Sequence, residues 1–259
     1  MSIELTAYER GAPFPGDLAA ALAALQERIA HAQRAQIVRR KRAIIVFEGL
    51  EGGGKAAAIK LLSGSLDPRF VTTQAVVPDR RQSDDGHWLA RFWRDLPADR
   101  RTMLYFHSWY RRVLEDRLLD LVDRDGAERA FDEINEFEAQ QRDHGTLILK
   151  LFFHVTEMVR GERLAIRDAD PTGRLLMGPA ELRGAEIRDE YDAAVGQMFA
   201  MTNTRWSPWT VVDANDVGAA LVAVLSAVAD AMEKAFPDIG EDEETSVIPL
   251  RRSTKLRPA

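Results

Sequence analysis

The chain has 259 residues, a formal net charge of −6 and 46% hydrophobic residues, enough for one large α/β domain or two small ones. It contains no cysteine, which excludes disulfides, thiol catalysis and cysteine-bound metals and favours a cytoplasmic location. The acidic balance argues against general nucleic-acid binding, and no apolar stretch reaches the roughly 18 to 20 residues that a membrane span needs.

The N-terminal segment divides into an arm and a helix. Prolines and glycines predict an extended arm over residues 1–16. Asp17 is a good helix cap, and the pattern predicts a helix over 17–38. Its apolar stripe consists of Leu18, Leu22, Leu25 and Ile29.

A short apolar strand, a glycine turn and a helix follow one another at residues 44–62. The spacing Gly49-x4-Gly54-Lys55 matches the P-loop, in which backbone N–H groups and a helix N-terminus bind phosphate oxygens. The predicted phosphate- and nucleotide-binding residues are Gly49, Gly52, Gly53, Gly54, Lys55 and Ala56.

The last position of that motif departs from the pattern. Ala56 stands where a Ser or Thr hydroxyl normally ligates Mg²⁺. The alternative to a phosphate site is an ordinary glycine-rich turn between a strand and a helix, but strand, spacing, lysine and helix together favour the P-loop.

The rest of the chain alternates strands with helices. Further strands are predicted at 70–77, 102–106, 146–155 and 209–213. Helices are predicted at 87–96, 131–142, 157–168, 180–201 and from the Asp216 cap to about 236. Lys150 lies within the fourth strand, and Glu138 is expected on a solvated helix face. The order predicts an α/β fold with three α/β/α layers and a five-stranded, mostly parallel sheet.

Two loops are candidate functional segments. Open α/β sheets bind ligands at the loops that follow their strands, and Asp79, Arg80 and Arg81 follow the second strand. Residues 169–179 contain prolines and glycines and are expected to form a mobile loop or lid. One domain over 17–236 and a disordered tail over 237–259 complete the predicted organisation.

The P-loop and several separate segments resemble the polyphosphate kinase 2 family. Those segments are 91–97 (RFWRDLP), 108–110 (SWY), 145–150 (GTLILK) and 209–216 (WTVVDAND). The resemblance implies a P-loop kinase fold with a helical lid at about 165–185. It also implies phosphoryl transfer between inorganic polyphosphate and a nucleoside mono- or diphosphate, with Mg²⁺ or Mn²⁺.

The resemblance also assigns roles to individual residues. Lys55, Glu51 and Arg112 become the catalytic candidates, with Glu51 as the metal ligand. Asp79 is a second candidate ligand on its position alone, in the loop after the second strand. The expected polyphosphate path consists of Lys60, Arg80, Arg81, Arg112 and Arg174. The expected partners are polyphosphate, a nucleotide and further copies of the chain, or alternatively a separate partner kinase.

Several positions depart from the family pattern. Glu51 replaces the usual P-loop aspartate, while Phe106 and His107 replace an Asp-Arg pair whose aspartate helps to hold Mg²⁺. Arg174 is the one charge kept in a normally basic run of the lid, and Val217 replaces a frequent lysine. These departures weaken the expected metal site more than the phosphate loop, because the loop binds through its backbone.

The two residues that follow the third strand are interpreted as structural rather than catalytic. His107 would need a partner to act as an acid or base, and a hydrogen-bonded structural histidine is the favoured interpretation. Ser108 is interpreted as a helix cap rather than a nucleophile, because it lies between a strand and a helix.

Two functions are therefore expected from the sequence. The favoured one is a polyphosphate-dependent nucleotide kinase, because the loop and Lys55 are intact. The alternative is a catalytically weakened domain that binds nucleotide or polyphosphate and acts in regulation or assembly.

Overall fold

The sheet is fully parallel and carries β1 at its centre. The computed structural model describes residues 3–77, 86–175 and 188–238. In these residues five strands lie in the order β2-β3-β1-β4-β5, and every pairing is parallel. The strands are β1 (Arg42–Glu48), β2 (Val71–Ala75), β3 (Thr102–Phe106), β4 (Thr146–His154) and β5 (Trp209–Asp213). The predicted α/β fold is confirmed.

Helices cover both faces of this sheet. They are α1 (Leu18–Val38), α2 (Lys55–Ser65), α3 (Ala90–Arg94), α4 (Glu115–Leu118), α5 (Arg124–Asp143), α6 (Glu157–Ala169), α7 (Pro171–Leu175), α8 (Arg188–Thr202) and α9 (Val217–Ala235). Alternate residues of β1 point to opposite sides, so Ile45 packs with α1, α2 and α9 whereas Ile44 packs with α3, α5 and α8. This produces the three predicted layers. No helix in these ranges is both long enough and apolar enough to cross a membrane.

Capping side chains begin two helices at the predicted residues. Asp17 accepts a hydrogen bond from the Ala20 N–H, and Asp216 accepts one from the Ala219 N–H. Helix α5 begins earlier than the predicted residue 131, because Asp123 caps it by accepting from the Gly126 N–H.

Two segments differ from the sequence predictions. The arm is not wholly extended, because Leu5–Tyr8 forms a 3-10 turn. Beyond that turn the arm lies at the carboxyl ends of β4 and β5: Glu9 lies 2.9 Å from His154 Nε2, and the Gly11 N–H donates to Asp213 Oδ2 at 2.9 Å. The segment predicted as a loop over 169–179 contains α7, whose Pro171 occupies a first-turn position that suits proline.

A buried ion pair links α5 to β4. Lys150 Nζ donates to Glu138 Oε2 at 3.0 Å, to Tyr110 Oη at 2.9 Å and to the Thr202 carbonyl at 2.8 Å. The expectation that Glu138 faces solvent was wrong, because this carboxylate is turned into the protein to pair with the strand lysine. Because both groups are buried, removing one partner would leave an uncompensated charge in the interior and lower the free energy of unfolding.

Candidate active site

The glycine turn follows β1 directly and leads into α2. Gly49 adopts φ +122, and a Cβ at this position would lie 2.3 Å from the Phe153 carbonyl oxygen. Gly54 precedes α2 in the left-handed region, with φ +90. The turn therefore needs glycine for close approach to β4 and for its backbone angles, and it presents the N-terminus of α2 to the carboxyl edge of the sheet.

Lys55 lies at the centre of this turn. Its ammonium donates to the Gly49 carbonyl and, at 3.1 Å, to the Leu50 carbonyl, and it lies 3.4 Å from Glu51 Oε1. The side chain is only 1% exposed. The Phe106 ring centroid lies 5.1 Å from the ammonium. The structure thus brings together Lys55 and Glu51, two of the three predicted catalytic residues.

His107 is the centre of a buried charge cluster beside the turn. Nδ1 lies 3.1 Å from Glu48 Oε2, while Nε2 lies 3.3 Å from Glu51 Oε1 and 3.8 Å from Glu115 Oε1. Arg111 pairs in turn with Glu115. The prediction of a hydrogen-bonded structural histidine is confirmed. The side chain is also buried, and its carboxylate partners come from the end of β1 with the following turn and from α4.

The charges in this cluster shift each other's protonation. Burial lowers the pKa of His107, but the Glu115 charge and the hydrogen bonds of Glu48 and Glu51 outweigh burial and the opposing Lys55 charge. The His107 pKa therefore rises to about 9. Burial raises the pKa of Glu51, but Lys55 and His107 together hold that pKa far below its ordinary value. At neutral pH the cluster holds an imidazolium among carboxylates.

Ser108 acts as the predicted cap. Its Oγ accepts from the Tyr110 N–H at 3.2 Å and donates to Glu48 Oε1 at 2.7 Å. The hydroxyl thus begins a 3-10 turn over Trp109–Arg112 and helps to hold the Glu48 carboxylate in place. No nucleophilic role follows from these contacts.

The carboxylates near the turn do not fit a Mg²⁺ site built by the protein. Glu48 and Glu51 are both engaged by His107, and Glu51 also faces Lys55. Ala56 and Phe106 supply no oxygen ligand. In the described ranges no group of three or more His, Asp or Glu residues is arranged to hold a metal ion, whereas Mg²⁺ requires oxygen ligands in near-octahedral geometry.

Helix α6 adds arginines that the sequence analysis did not single out. Arg163 donates to the Gly52 carbonyl at 2.8 Å, and to the Ala214 and Asn215 carbonyls at 2.9 and 2.8 Å. It therefore fastens the glycine turn to the loop after β5. Arg167 lies 3.8 Å from Glu51 Oε2, one helical turn further along α6. Arg163 and Arg167 are four residues apart and therefore lie on the same face of α6. That spacing on a charged helix is the sequence signal that would have identified them.

The described residues of the predicted polyphosphate path lie on three separate elements, and no contact joins them within the described structure. Lys60 is exposed on α2, and Arg174 lies at the end of α7, 3.4 Å from Asp168. The Arg112 guanidinium lies over the Trp88 ring, with 5.4 Å to the centroid. Asp79, Arg80 and Arg81 lie outside the described residues, as do residues 176–185 of the predicted lid and most of the predicted tail.

Comparison with known proteins agrees with this geometry. The family model for polyphosphate kinase 2 matches residues 16–239. The polyphosphate:AMP phosphotransferase of Pseudomonas aeruginosa is 34% identical over 215 residues, which cover 83% of this chain and 43% of that protein. The ADP-polyphosphate phosphotransferase 2 of Rhizobium meliloti is 30% identical, covering 76% of this chain and 64% of that protein. The chain thus spans less than half of the first relative and less than two thirds of the second.

Solved structures give the same result. A putative polyphosphate kinase 2 from Pseudomonas aeruginosa superposes with a TM-score of 0.82 at 33% identity, over 91% of this chain and 50% of that one. The polyphosphate kinase 2 from Arthrobacter aurescens superposes with a TM-score of 0.80 at 25% identity, over 90% of this chain and 86% of that one. With its parallel sheet, its glycine turn and its central lysine, the chain belongs to the polyphosphate kinase 2 family.

Proposed function

We propose that this chain moves a phosphoryl group between inorganic polyphosphate and a nucleoside mono- or diphosphate. One observation carries the proposal: the glycine turn closes around Lys55 at the N-terminus of α2. Such a turn binds phosphate through backbone N–H groups and helix-end charge. The names of the family relatives, which act on polyphosphate and on AMP, ADP or GDP, support the same reaction.

In this proposal the turn holds the phosphate chain and Lys55 offsets its charge. Lys55 now donates to two carbonyls of its own turn, and an incoming phosphate replaces those carbonyls as the acceptor. Arg163 keeps the turn in shape, because it ties the Gly52 carbonyl to the loop after β5. Arg167 brings further positive charge to the Glu51 side of the turn.

The remaining predicted basic residues extend the proposed path. Lys60, Arg112 and Arg174 supply positive charge on α2, near Trp88 and at the end of α7, and Arg80 and Arg81 follow β2 in the sequence. Phosphoryl transfer depends mainly on positioning and on stabilising charge, so a line of basic side chains suits a polyanionic substrate.

Metal dependence is a separate part of the proposal. Kinases of this family are generally Mg²⁺-dependent, and the sequence assigns the metal to Glu51, with Asp79 as a further candidate and Mn²⁺ as a possible substitute. The described residues do not form such a site, because Glu51 is ion-paired with Lys55 and His107. We therefore assign no catalytic step to a metal held by the protein.

We also propose one kinase domain over residues 17–236 and association with further copies or with a partner kinase. The family match over 16–239 supports the domain. The Pseudomonas aeruginosa relative is about twice as long as this chain. That length leaves room for a second kinase unit, and a comparable separate unit is the proposed partner of this chain. Sedimentation of the purified chain, alone and with a full-length relative, tests this part.

A second candidate function is a binding domain with weakened catalysis. The buried His107 cluster favours it, because an imidazolium and a phenyl ring occupy positions where the family carries an arginine and a metal-binding aspartate. Such a domain would keep its phosphate affinity, since backbone N–H groups and Lys55 supply it. Its role would be regulation or assembly.

Phosphoryl transfer tests the first function directly. Purified protein is mixed with polyphosphate, Mg²⁺ or Mn²⁺ and a panel of nucleoside mono- and diphosphates, and products are followed by ³¹P NMR. We expect turnover that disappears in Lys55→Ala and persists in Lys234→Ala, a matched change at an exposed lysine of α9. Turnover that survives Lys55→Ala contradicts the proposed site.

The double variant Phe106→Asp with His107→Arg separates the two functions. It restores the family pair beside Lys55. A large gain in turnover from a barely active parent, with polyphosphate binding unchanged, supports the weakened binding domain. Turnover that is high in the parent and falls in the double variant supports the active kinase.

A further inference from the structure

The side chain of Asn215 joins three segments at the carboxyl edge of the sheet. Its Oδ1 accepts hydrogen bonds from the N–H and the hydroxyl of Thr156, each at 2.9 Å. Its Nδ2 donates to Asp213 Oδ1 at 2.7 Å and to the Tyr8 carbonyl at 3.3 Å. Thr156 precedes α6, Asp213 ends β5 and Tyr8 ends the 3-10 turn of the N-terminal arm. One amide therefore links a helix, a strand and the arm.

The two ends of this amide are not interchangeable. The Thr156 N–H requires an acceptor, whereas the Tyr8 carbonyl can only accept. Burial raises the pKa of Asp213, but hydrogen bonds from the Gly11 N–H and from Asn215 hold that pKa below its ordinary value, so the carboxylate is ionised and also accepts. Asparagine supplies the acceptor and the donor together, while an ionised aspartate of the same shape supplies no donor.

The main chain of the same loop holds Arg163. The guanidinium donates to the Ala214 and Asn215 carbonyls at 2.9 and 2.8 Å, and to the Gly52 carbonyl at 2.8 Å. Arg163 lies on α6, the helix that follows Thr156. Asn215 therefore fixes the arginine at both ends, because its side chain holds the start of α6 and its carbonyl accepts from the guanidinium.

We propose that Asn215 is a positioning residue for phosphate binding, which acts through Arg163 on the glycine turn and touches no phosphate itself. The Gly52 carbonyl and the Gly53 N–H belong to one planar peptide unit, and this N–H donates to the Leu50 carbonyl at 3.3 Å. Holding the Gly52 carbonyl therefore holds the curvature of a turn whose glycines would otherwise be free to rotate. The inference rests on the proposed function, in which this turn binds phosphate.

Carbonyl NMR tests the contact at the turn without any ligand. Residues 52–54 are the one place in the sequence where glycine follows glycine. Glycine labelled with ¹³C at the carbonyl and ¹⁵N at the amide therefore gives one-bond carbonyl–nitrogen correlations for two pairs alone, Gly52 with Gly53 and Gly53 with Gly54. Gly54→Asn removes the second pair and so assigns the first. The ¹³C shift of the Gly52 carbonyl depends on the hydrogen bond that it accepts, so it reports the Arg163 contact.

The Gly52 signal should move in Arg163→Ala, which removes the donor. Asn215→Asp should move it in the same direction, because the loop after β5 is no longer held. Asn135→Asp on α5 is the matched control. The Nδ2 of Asn135 donates to the Met201 carbonyl at 2.9 Å, and the loss of this donor should leave the Gly52 signal unchanged.

Calorimetric titration with polyphosphate measures the consequence for binding. Asn215→Asp should weaken the affinity by about tenfold, as Arg163→Ala does. The double variant should bind about as tightly as Arg163→Ala alone, because both changes break the same hold on the turn. A general effect of the added charge would instead add to the loss from Arg163→Ala, and a purely structural role would lower the melting temperature with no loss of affinity.

A Gly52 signal that stays at its wild-type position in folded Asn215→Asp overturns the proposal, as do wild-type affinity in that variant and additive losses in the double variant. If Asn215→Asp does not fold, Thr156→Val decides, because it removes one of the two bonds to Oδ1 without adding charge. The signal should then move, and an unmoved signal overturns the proposal. Failure of the proposed function is distinct, since polyphosphate would bind equally to Lys55→Ala while the Gly52 signal still reports whether Asn215 holds the turn.

Discussion

Replacing His107 by Gln removes the positive charge at the centre of the carboxylate cluster. In the folded protein the imidazole faces Glu48, Glu51 and Glu115, with Lys55 as the opposing cation. Glutamine keeps hydrogen-bonding capacity but carries no charge. The variant therefore isolates the contribution of the imidazolium to the free energy of unfolding.

The size of that contribution follows from the pKa of His107. Folding raises it from 6.5 to about 9, which corresponds to about 3 kcal/mol of stabilisation of the folded state. Because the folded pKa is the higher one, this stabilisation is complete below pH 6.5 and is lost as the pH rises through about 9. The difference in unfolding free energy between wild type and His107→Gln should therefore shrink by about 3 kcal/mol from pH 6 to pH 10.

Urea unfolding in metal-free buffer, followed by tryptophan fluorescence at a series of pH values, measures this difference. Taking the difference cancels titrations that both proteins share. His107→Arg is the matched control, because it keeps a positive charge at every pH, and it should retain above pH 9 the stability that wild type loses. A difference between wild type and His107→Gln that stays constant from pH 6 to pH 10 would refute a charged His107.

Three further substitutions test the packing and the turn. Glu138→Ala should lower the unfolding free energy by about 3–5 kcal/mol, because it leaves Lys150 charged and buried; adding Lys150→Met should recover part of this loss in the same urea assay. Gly49→Ala should abolish polyphosphate binding in calorimetry, because its Cβ would lie 2.3 Å from the Phe153 carbonyl oxygen; binding that matches wild type would contradict the geometry of the turn. Arg163→Ala should weaken polyphosphate binding by about tenfold with little change in melting temperature, and unchanged affinity would show that the turn keeps its shape without this arginine.

The strands of the sheet could be predicted from the sequence because each one is a short run of apolar or β-branched residues. The apolar run at β1 and the β-branched run at β5 place those strands to within two residues. The P-loop was equally local, since Gly49, Gly54 and Lys55 are close in the chain and their spacing carries the chemistry.

The charge clusters could not be predicted in the same way, because their members lie on different secondary-structure elements that meet only in the folded protein. His107 meets Glu48 and Glu115 only when β1, β3 and α4 come together. Glu138 has the helical pattern of a solvent-facing residue, and only the position of Lys150 on the adjacent strand explains its burial. Tertiary pairing overrides local pattern at such positions.

Calorimetric titration with polyphosphate in metal-free buffer tests most directly the central claim that the glycine turn and Lys55 hold phosphate. We predict saturable binding to wild type and to Lys234→Ala, with affinity at least about tenfold weaker in a folded Lys55→Ala protein. Equal affinity in all three proteins would place the phosphate site elsewhere and contradict the account.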